Sequence, residues 1–95
     1  MQVSLHAYHR ARERLSWNRS TIERMAQRAL DEGIPPGVTK GRLKRFLESK
    51  AKKYLYTDVR IYGEYVYFYA RTVPSYVLVT VYRVPNDLKG LIPRG

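Results

Sequence analysis

His6, Arg10 and Arg14 recur at i, i+4 and i+8, which places them on one face of any helix that contains them. Imidazole is the side chain best suited to proton transfer near neutral pH, and a guanidinium can neutralise a phosphate in its pentacoordinate state. Metal-independent RNA cleavage needs those parts and little more, because the 2′-hydroxyl is the nucleophile. His6 is the expected acid/base, with Arg10, Arg14 and Arg71 holding the scissile phosphate. Tyr62, Tyr67 and Tyr82 are expected to stack bases or to orient the 2′-hydroxyl. A solvated surface helix, or a histidine that ties a helix to a sheet, would show the same spacing. His9 and Glu13 form a further i, i+4 pair on a neighbouring face.

A second constellation is the run Lys40, Arg42, Lys44, Arg45, Lys50, Lys52 and Lys53, opposed only by Glu48. It suits tracking of a nucleic-acid backbone with binding that weakens as salt rises. Without a ligand it is simply a solvated helix face. A third group is strand-borne: Arg60, Tyr62, Arg71, Tyr82 and Arg83, in a segment that also carries Tyr65, Tyr67 and Tyr69. Tyr is a strong strand former and cross-strand Tyr pairs stabilise sheets. Aromatic faces flanked by Arg also stack unpaired bases, at roughly 1–3 kcal/mol per base. The candidate nucleic-acid contacts are therefore Lys40, Arg42, Lys44, Arg45, Arg60, Tyr62, Tyr65, Tyr67 and Tyr69.

The elements that must position these groups fall into a helical half, about 4–52, and a sheet half, about 54–85, with a short tail over 86–95. Residues 4–15 read as helix, with Ala7, Ala11 and Leu15 as its buried stripe. Ser20 and Glu23 fit a capping box, which predicts a second helix over about 21–31 with Ile22, Met25, Ala26, Ala29 and Leu30 inward. Gly33 and Pro35-Pro36-Gly37 end it. Thr39 is the expected cap of a third helix over about 40–52, with Leu43, Phe46 and Leu47 inward. From Tyr54 the period becomes two. Asp58–Tyr62, Tyr65–Arg71 and Tyr76–Val84 read as strands joined by Gly63-Glu64 and by a connection containing Pro74, with Tyr54–Tyr56 an extension or a short extra strand. Alternation sets Val59, Ile61, Val66, Phe68, Ala70, Val77, Val79 and Val81 toward the helices. Arg60, Tyr62, Tyr65, Tyr67, Tyr69, Arg71, Tyr76, Thr80 and Tyr82 are left on an open face. The expected fold is α+β in one domain over 1–95: two or three N-terminal helices packed on one face of a three- or four-stranded antiparallel sheet.

Composition narrows the partners. Eighteen Lys and Arg against eight Asp and Glu leave +10 at pH 7, and arginine outnumbers lysine twelve to six. Such an imbalance speaks to partners, with nucleic acid first. The chain has no Cys, which excludes a disulfide scaffold, a thiolate metal site and a cysteine nucleophile. His6 and His9 have no carboxylate at a recognised ligand spacing beyond Glu13, and there is no Gly-rich phosphate loop or nucleophile-elbow motif. No cofactor and no metal are expected. No stretch reads as a secretory signal or a membrane span, so the expected location is the cytoplasm.

The stretch His6-Ala7-Tyr8-His9-Arg10-Ala11-Arg12-Glu13-Arg14-Leu15-Ser16 resembles the N-terminal HAxxRxxxRxxS pattern of a family of small proteins of bacterial phages and mobile elements. Ile61-Tyr62-Gly63-Glu64-Tyr65-Val66-Tyr67 and Leu78-Val79-Thr80-Val81-Tyr82 resemble its later hairpin and last strand, so the likeness covers about 4–88. That family resembles in layout the barnase/RelE-like ribonuclease toxins. The resemblance implies helices followed by an antiparallel sheet, and it puts His6, Arg10 and Arg14 at the pattern's polar positions.

The combined expectation is a basic RNA-binding protein, toxin-like, with metal-independent endoribonuclease activity through His6, Arg10, Arg14, Arg71 and Tyr82. The alternative is a non-catalytic phage protein that blocks or adapts a host nucleic-acid machine or defence nuclease through its basic surface. Expected partners are RNA or another nucleic acid, a host protein or an acidic antitoxin, and a second copy of the chain across the Tyr-rich face; no membrane is expected.

Overall fold

The computed structural model describes residues 1–54, 58–72 and 75–93. Along the chain run β1 (Gln2–Val3), α1 (Leu5–Leu15), α2 (Arg19–Glu32), the 3-10 turn η1 (Pro36–Val38), α3 (Gly41–Tyr54), β2 (Asp58–Tyr62), β3 (Tyr65–Thr72), β4 (Ser75–Arg83) and the 3-10 turn η2 (Asn86–Leu91). The helices precede the main strands, an α+β arrangement. The expected strand character of Tyr54–Tyr56 fails at Tyr54, which ends α3; positions 55–57 and the Pro74 connection lie outside the described residues.

Local chemistry accounts for the helix ends. Ser4 is extended and its Oγ accepts the Ala7 N–H at 3.0 Å, capping α1. Ser16 ends α1 in the left-handed region, φ 57°, where its N–H reaches the Arg12 carbonyl and the Trp17 N–H reaches that of Ala11. Asn18 Oδ1 accepts the Thr21 N–H at 2.8 Å, so Asn18 rather than Ser20 is the cap and α2 starts earlier than the Ser20–Glu23 pair implied. Thr39 is buried, and its hydroxyl donates to the Pro36 carbonyl at 2.6 Å, inside η1.

The sheet order is β1-β4-β3-β2. β2, β3 and β4 form the expected antiparallel meander. Gly63, φ 64°, takes the first central position of the two-residue turn between the paired Tyr62 and Tyr65, where a type II′ hairpin demands glycine. β1 is the departure: it pairs parallel with β4, Val3 opposite Leu78, so the sheet is mixed. Two residues are too few to register as a period-two pattern.

Helices cover both faces of the sheet, where one covered and one open face were expected. α1 and α2 pack on Tyr67, Tyr69, Leu78 and Val81 through Ala7, Ala11, Ile22, Ala26 and Ala29. α3 and η2 pack on Val59, Ile61, Val66, Phe68 and Val84 through Leu43, Leu47 and Leu88. The chain changes sides at Ile34, which exchanges backbone hydrogen bonds with Ile61 at 2.7 and 2.9 Å on the outer edge of β2. Gly33 makes this crossing fit, because a Cβ there would clash with the Ala29 carbonyl oxygen and lie 2.9 Å from Arg60 Cβ. The expected tail also has a packed part, since η2 buries Leu88.

A bulge explains the misassigned side chains on β4. Phe68 pairs with Thr80, but Tyr69 pairs with Leu78, leaving Val79 as an extra residue. Beyond it, parity inverts. Val81 joins Tyr67 on the α1–α2 face, while Thr80 and Tyr82 pass to the α3 face.

Candidate nucleic-acid interface

α1 lies along β4, on the stretch of edge that β1 leaves unpaired. Ala7 and Ala11 are fully buried there, and their small side chains permit close approach. The Ser4 N–H donates to the Leu78 carbonyl at 3.0 Å and its Oγ reaches that of Val79 at 3.4 Å. Arg14 Nη1 donates to the Val81 carbonyl at 3.4 Å. The helix is thus anchored to β4 at both ends, with His6, Arg10 and Arg14 as one outward ridge.

Arg14 spans the sheet edge. Its guanidinium carbon sits 4.0 Å from the centroid of the Tyr82 ring, on the face that α3 covers. From α3, the Lys50 ammonium reaches the same ring at 5.2 Å and Phe46 at 6.0 Å. Phe68 holds Tyr82 edge-on at 5.7 Å and 89°. Two cations from two layers therefore meet on one half-buried aromatic ring, no more than about 9 Å apart. Neither has a carboxylate partner among the described residues. Arg10 Nε donates to His6 Nε2 at 3.3 Å. Arg10 also lies 3.8 Å from Glu13.

The other expected residues separate. Arg71 is exposed beside Tyr76, 5.8 Å from its ring, six positions before Tyr82 on β4 and so roughly 20 Å away along the strand; it cannot share a phosphate with Arg14. Tyr67 and Tyr69 are 0% exposed beneath α1 and α2, which removes them as stacking surfaces and removes the Tyr-rich face as a dimer interface. The Tyr69 hydroxyl donates to the Ala26 carbonyl at 2.7 Å, whereas that of Tyr67 has no partner among the described residues. Burial pushes both phenols above their ordinary pKa. Tyr65 is half-buried against Trp17, ring centroids 4.8 Å apart, and Tyr62 meets Glu32 through its hydroxyl at 3.4 Å. Arg60 is neutralised by Asp58 at 3.2 Å and donates to the Val59 carbonyl at 3.0 Å. On α3, Arg42 lies 3.8 Å from Asp87, Lys44 is half-buried and Arg45 is exposed, as is Lys40 just before the helix.

Lys50 was legible only as one member of a charge run, and nothing in its spacing tied it to Tyr82. Tyr8, Arg12, Trp17 and Arg19 share no spacing that marks them as a group in the sequence, yet they line a cleft between α1 and α2. Among the described residues no helix is long and apolar enough to cross a membrane, and no three His, Cys, Asp or Glu side chains group as a metal site.

No family model, curated protein or solved structure matches the chain. The likeness of His6–Ser16 to the phage-family pattern rests on its residues alone. The pattern's serine would fall at position 17, held by Trp17; Ser16, one place earlier, is the left-handed residue that ends α1.

Proposed function

We propose that the protein binds single-stranded RNA along the edge where α1 and α3 flank Tyr82. One observation carries this: Arg14 and Lys50 converge on the Tyr82 ring, and neither is paired with a carboxylate among the described residues. Two like charges no more than about 9 Å apart repel by at least about 0.5 kcal/mol even at the dielectric of water, and a phosphate placed between them would relieve it. Guanidinium and ammonium groups both make strong charge-assisted bonds to phosphate. The Arg14 guanidinium stacked over Tyr82 offers a flat cationic surface on which an unpaired base next to that phosphate can lie. The net charge of +10 draws any polyanion toward the surface. Arg10 and His6 extend the ridge along α1.

RNA cleavage is the second reading, favoured by the Arg10–His6 contact. His6 is the one imidazole of the ridge. It lies eight residues from Arg14, about 12 Å along the helix axis, so a cut would occur beside Arg10 rather than at the Tyr82 end. Both readings are tested by incubating wild type and His6→Ala with total RNA in EDTA. Retardation of RNA by both proteins at low salt, without cutting, supports binding alone. Cutting by wild type and not by the variant adds proton transfer at His6. Absence of retardation at low salt overturns the proposal and leaves an acidic protein as the partner to seek.

A further inference from the structure

On the opposite side of α1 from the His6–Arg14 ridge, the surface between α1 and α2 opens into a cleft of about 480 Å³, a usual size for a small-ligand site. Val3 and Ile22 give it aliphatic surface, and Tyr8 and Trp17 give it aromatic surface. Its basic lining is His9, Arg12 and Arg19, and the Glu23 carboxylate stands at its rim beside Tyr8 and Arg19. Several of these groups are held in place by the fold. The Tyr8 hydroxyl donates to Glu23 Oε2 at 2.9 Å, and the Arg19 guanidinium lies 4.8 Å from the centroid of the Tyr8 ring. Tyr65 holds Trp17 edge-on at 4.8 Å, and Tyr67 lies near-parallel to it at 6.5 Å and 29°. His9 and Arg12 have no ion-pair partner among the described residues.

Two guanidiniums and an imidazole exceed what one carboxylate needs, whereas a phosphate can accept from all of them, two at a time from each Arg fork. Aromatic walls favour a flat, π-faced body over a flexible chain. We propose that this cleft binds a nucleotide, with its base against Tyr8 and Trp17 and its phosphate on Arg12 and Arg19. The same chemistry is offered by a free mononucleotide and by the phosphorylated end of a strand. The site is separate from the Arg14–Tyr82–Lys50 cluster, because Tyr8 and Arg12 lie about 200° around α1 from Arg10 and Arg14.

Trp17 is the sole tryptophan of the chain, so its fluorescence reports on the cleft directly. AMP and UMP should each change it saturably, and adenosine or inorganic phosphate alone should need at least about tenfold higher concentration, as loss of a charge-assisted contact set implies. Arg12→Gln, an exposed substitution, should weaken nucleotide binding at least about tenfold with unchanged circular dichroism. Arg14→Gln/Lys50→Gln should leave the titration unaltered, which separates failure of this site from failure of the RNA-binding edge. Tighter binding of a 5′-phosphorylated oligonucleotide than of the mononucleotide identifies a strand end as ligand, and the reverse identifies the free nucleotide. No saturable change up to about 1 mM nucleotide, or equal binding by wild type and Arg12→Gln, overturns the proposal.

Discussion

Tyr67 and Tyr69 stand on the same face of β3, two residues apart and both without exposed surface, yet removal of their hydroxyls should have opposite effects. The Tyr67 hydroxyl has no partner among the described residues. A buried unpaired polar group costs about 1–3 kcal/mol, so Tyr67→Phe should stabilise the fold by an amount of that order while preserving ring packing against Trp17. The Tyr69 hydroxyl donates to the Ala26 carbonyl at 2.7 Å, a bond worth a net 0.5–1.5 kcal/mol, roughly. Tyr69→Phe should lose it, with the carbonyl oxygen left short of one donor. For a chain of this size 1 kcal/mol moves Tm by roughly 4–8 °C. The two variants should therefore bracket wild type, with Tyr67→Phe melting higher and Tyr69→Phe lower, in thermal and urea unfolding followed by circular dichroism. The urea slope should not change, because neither substitution alters the surface exposed on unfolding. A Tyr67→Phe protein less stable than wild type would refute the reasoning and indicate that a buried water serves that hydroxyl.

Both phenols also predict alkaline sensitivity. Their native pKa values lie above the ordinary 10.0 because burial disfavours the phenolate. The unfolded chain then loses these protons first, so stability should hold below pH 10, roughly, and fall as pH rises above it; Tyr69→Phe should flatten that fall in unfolding curves measured against pH. Gly33→Ala should cost about 1–3 kcal/mol, the usual range for overpacking, because its Cβ would meet the Ala29 carbonyl and Arg60; urea denaturation checks this. Ser4→Ala removes both the cap of α1 and its tie to Val79 and should cost about 0.5–2 kcal/mol, with the largest loss of amide-exchange protection in the first turn of α1.

The helices were legible where their faces are simple. Ala7 and Ala11, then Ile22, Ala26 and Ala29, recur at helical spacing and are the buried residues of α1 and α2. The turn of the β2–β3 hairpin was legible to the residue, because Gly63-Glu64 interrupts two alternating runs; β3 runs one residue further than expected, to Thr72. Which side of the sheet a helix takes is a tertiary choice with no local signature, and so α1 and α2 came to lie on the tyrosines. Alternation also assumes an unbroken strand, and the single extra residue Val79 moved Tyr82 to the other face. That shift brings Tyr82 to Lys50. The ridge of His6, Arg10 and Arg14 could be read from spacing alone, whereas its meeting with Tyr82 depends on the fold. Arg60 illustrates the converse: its charge was counted toward a ligand, but Asp58 two residues before it on the same strand neutralises it.

The central claim is most directly tested by the salt dependence of single-stranded RNA binding. For single strands the slope of log K against log salt is about −0.7 per phosphate neutralised. Replacing Arg14 and Lys50 together by Gln removes two cations, so the slope should become shallower by about 1.4 and affinity at low salt should fall. The same slope and affinity for wild type and the double variant would contradict the account, because the RNA would then be held elsewhere on the surface.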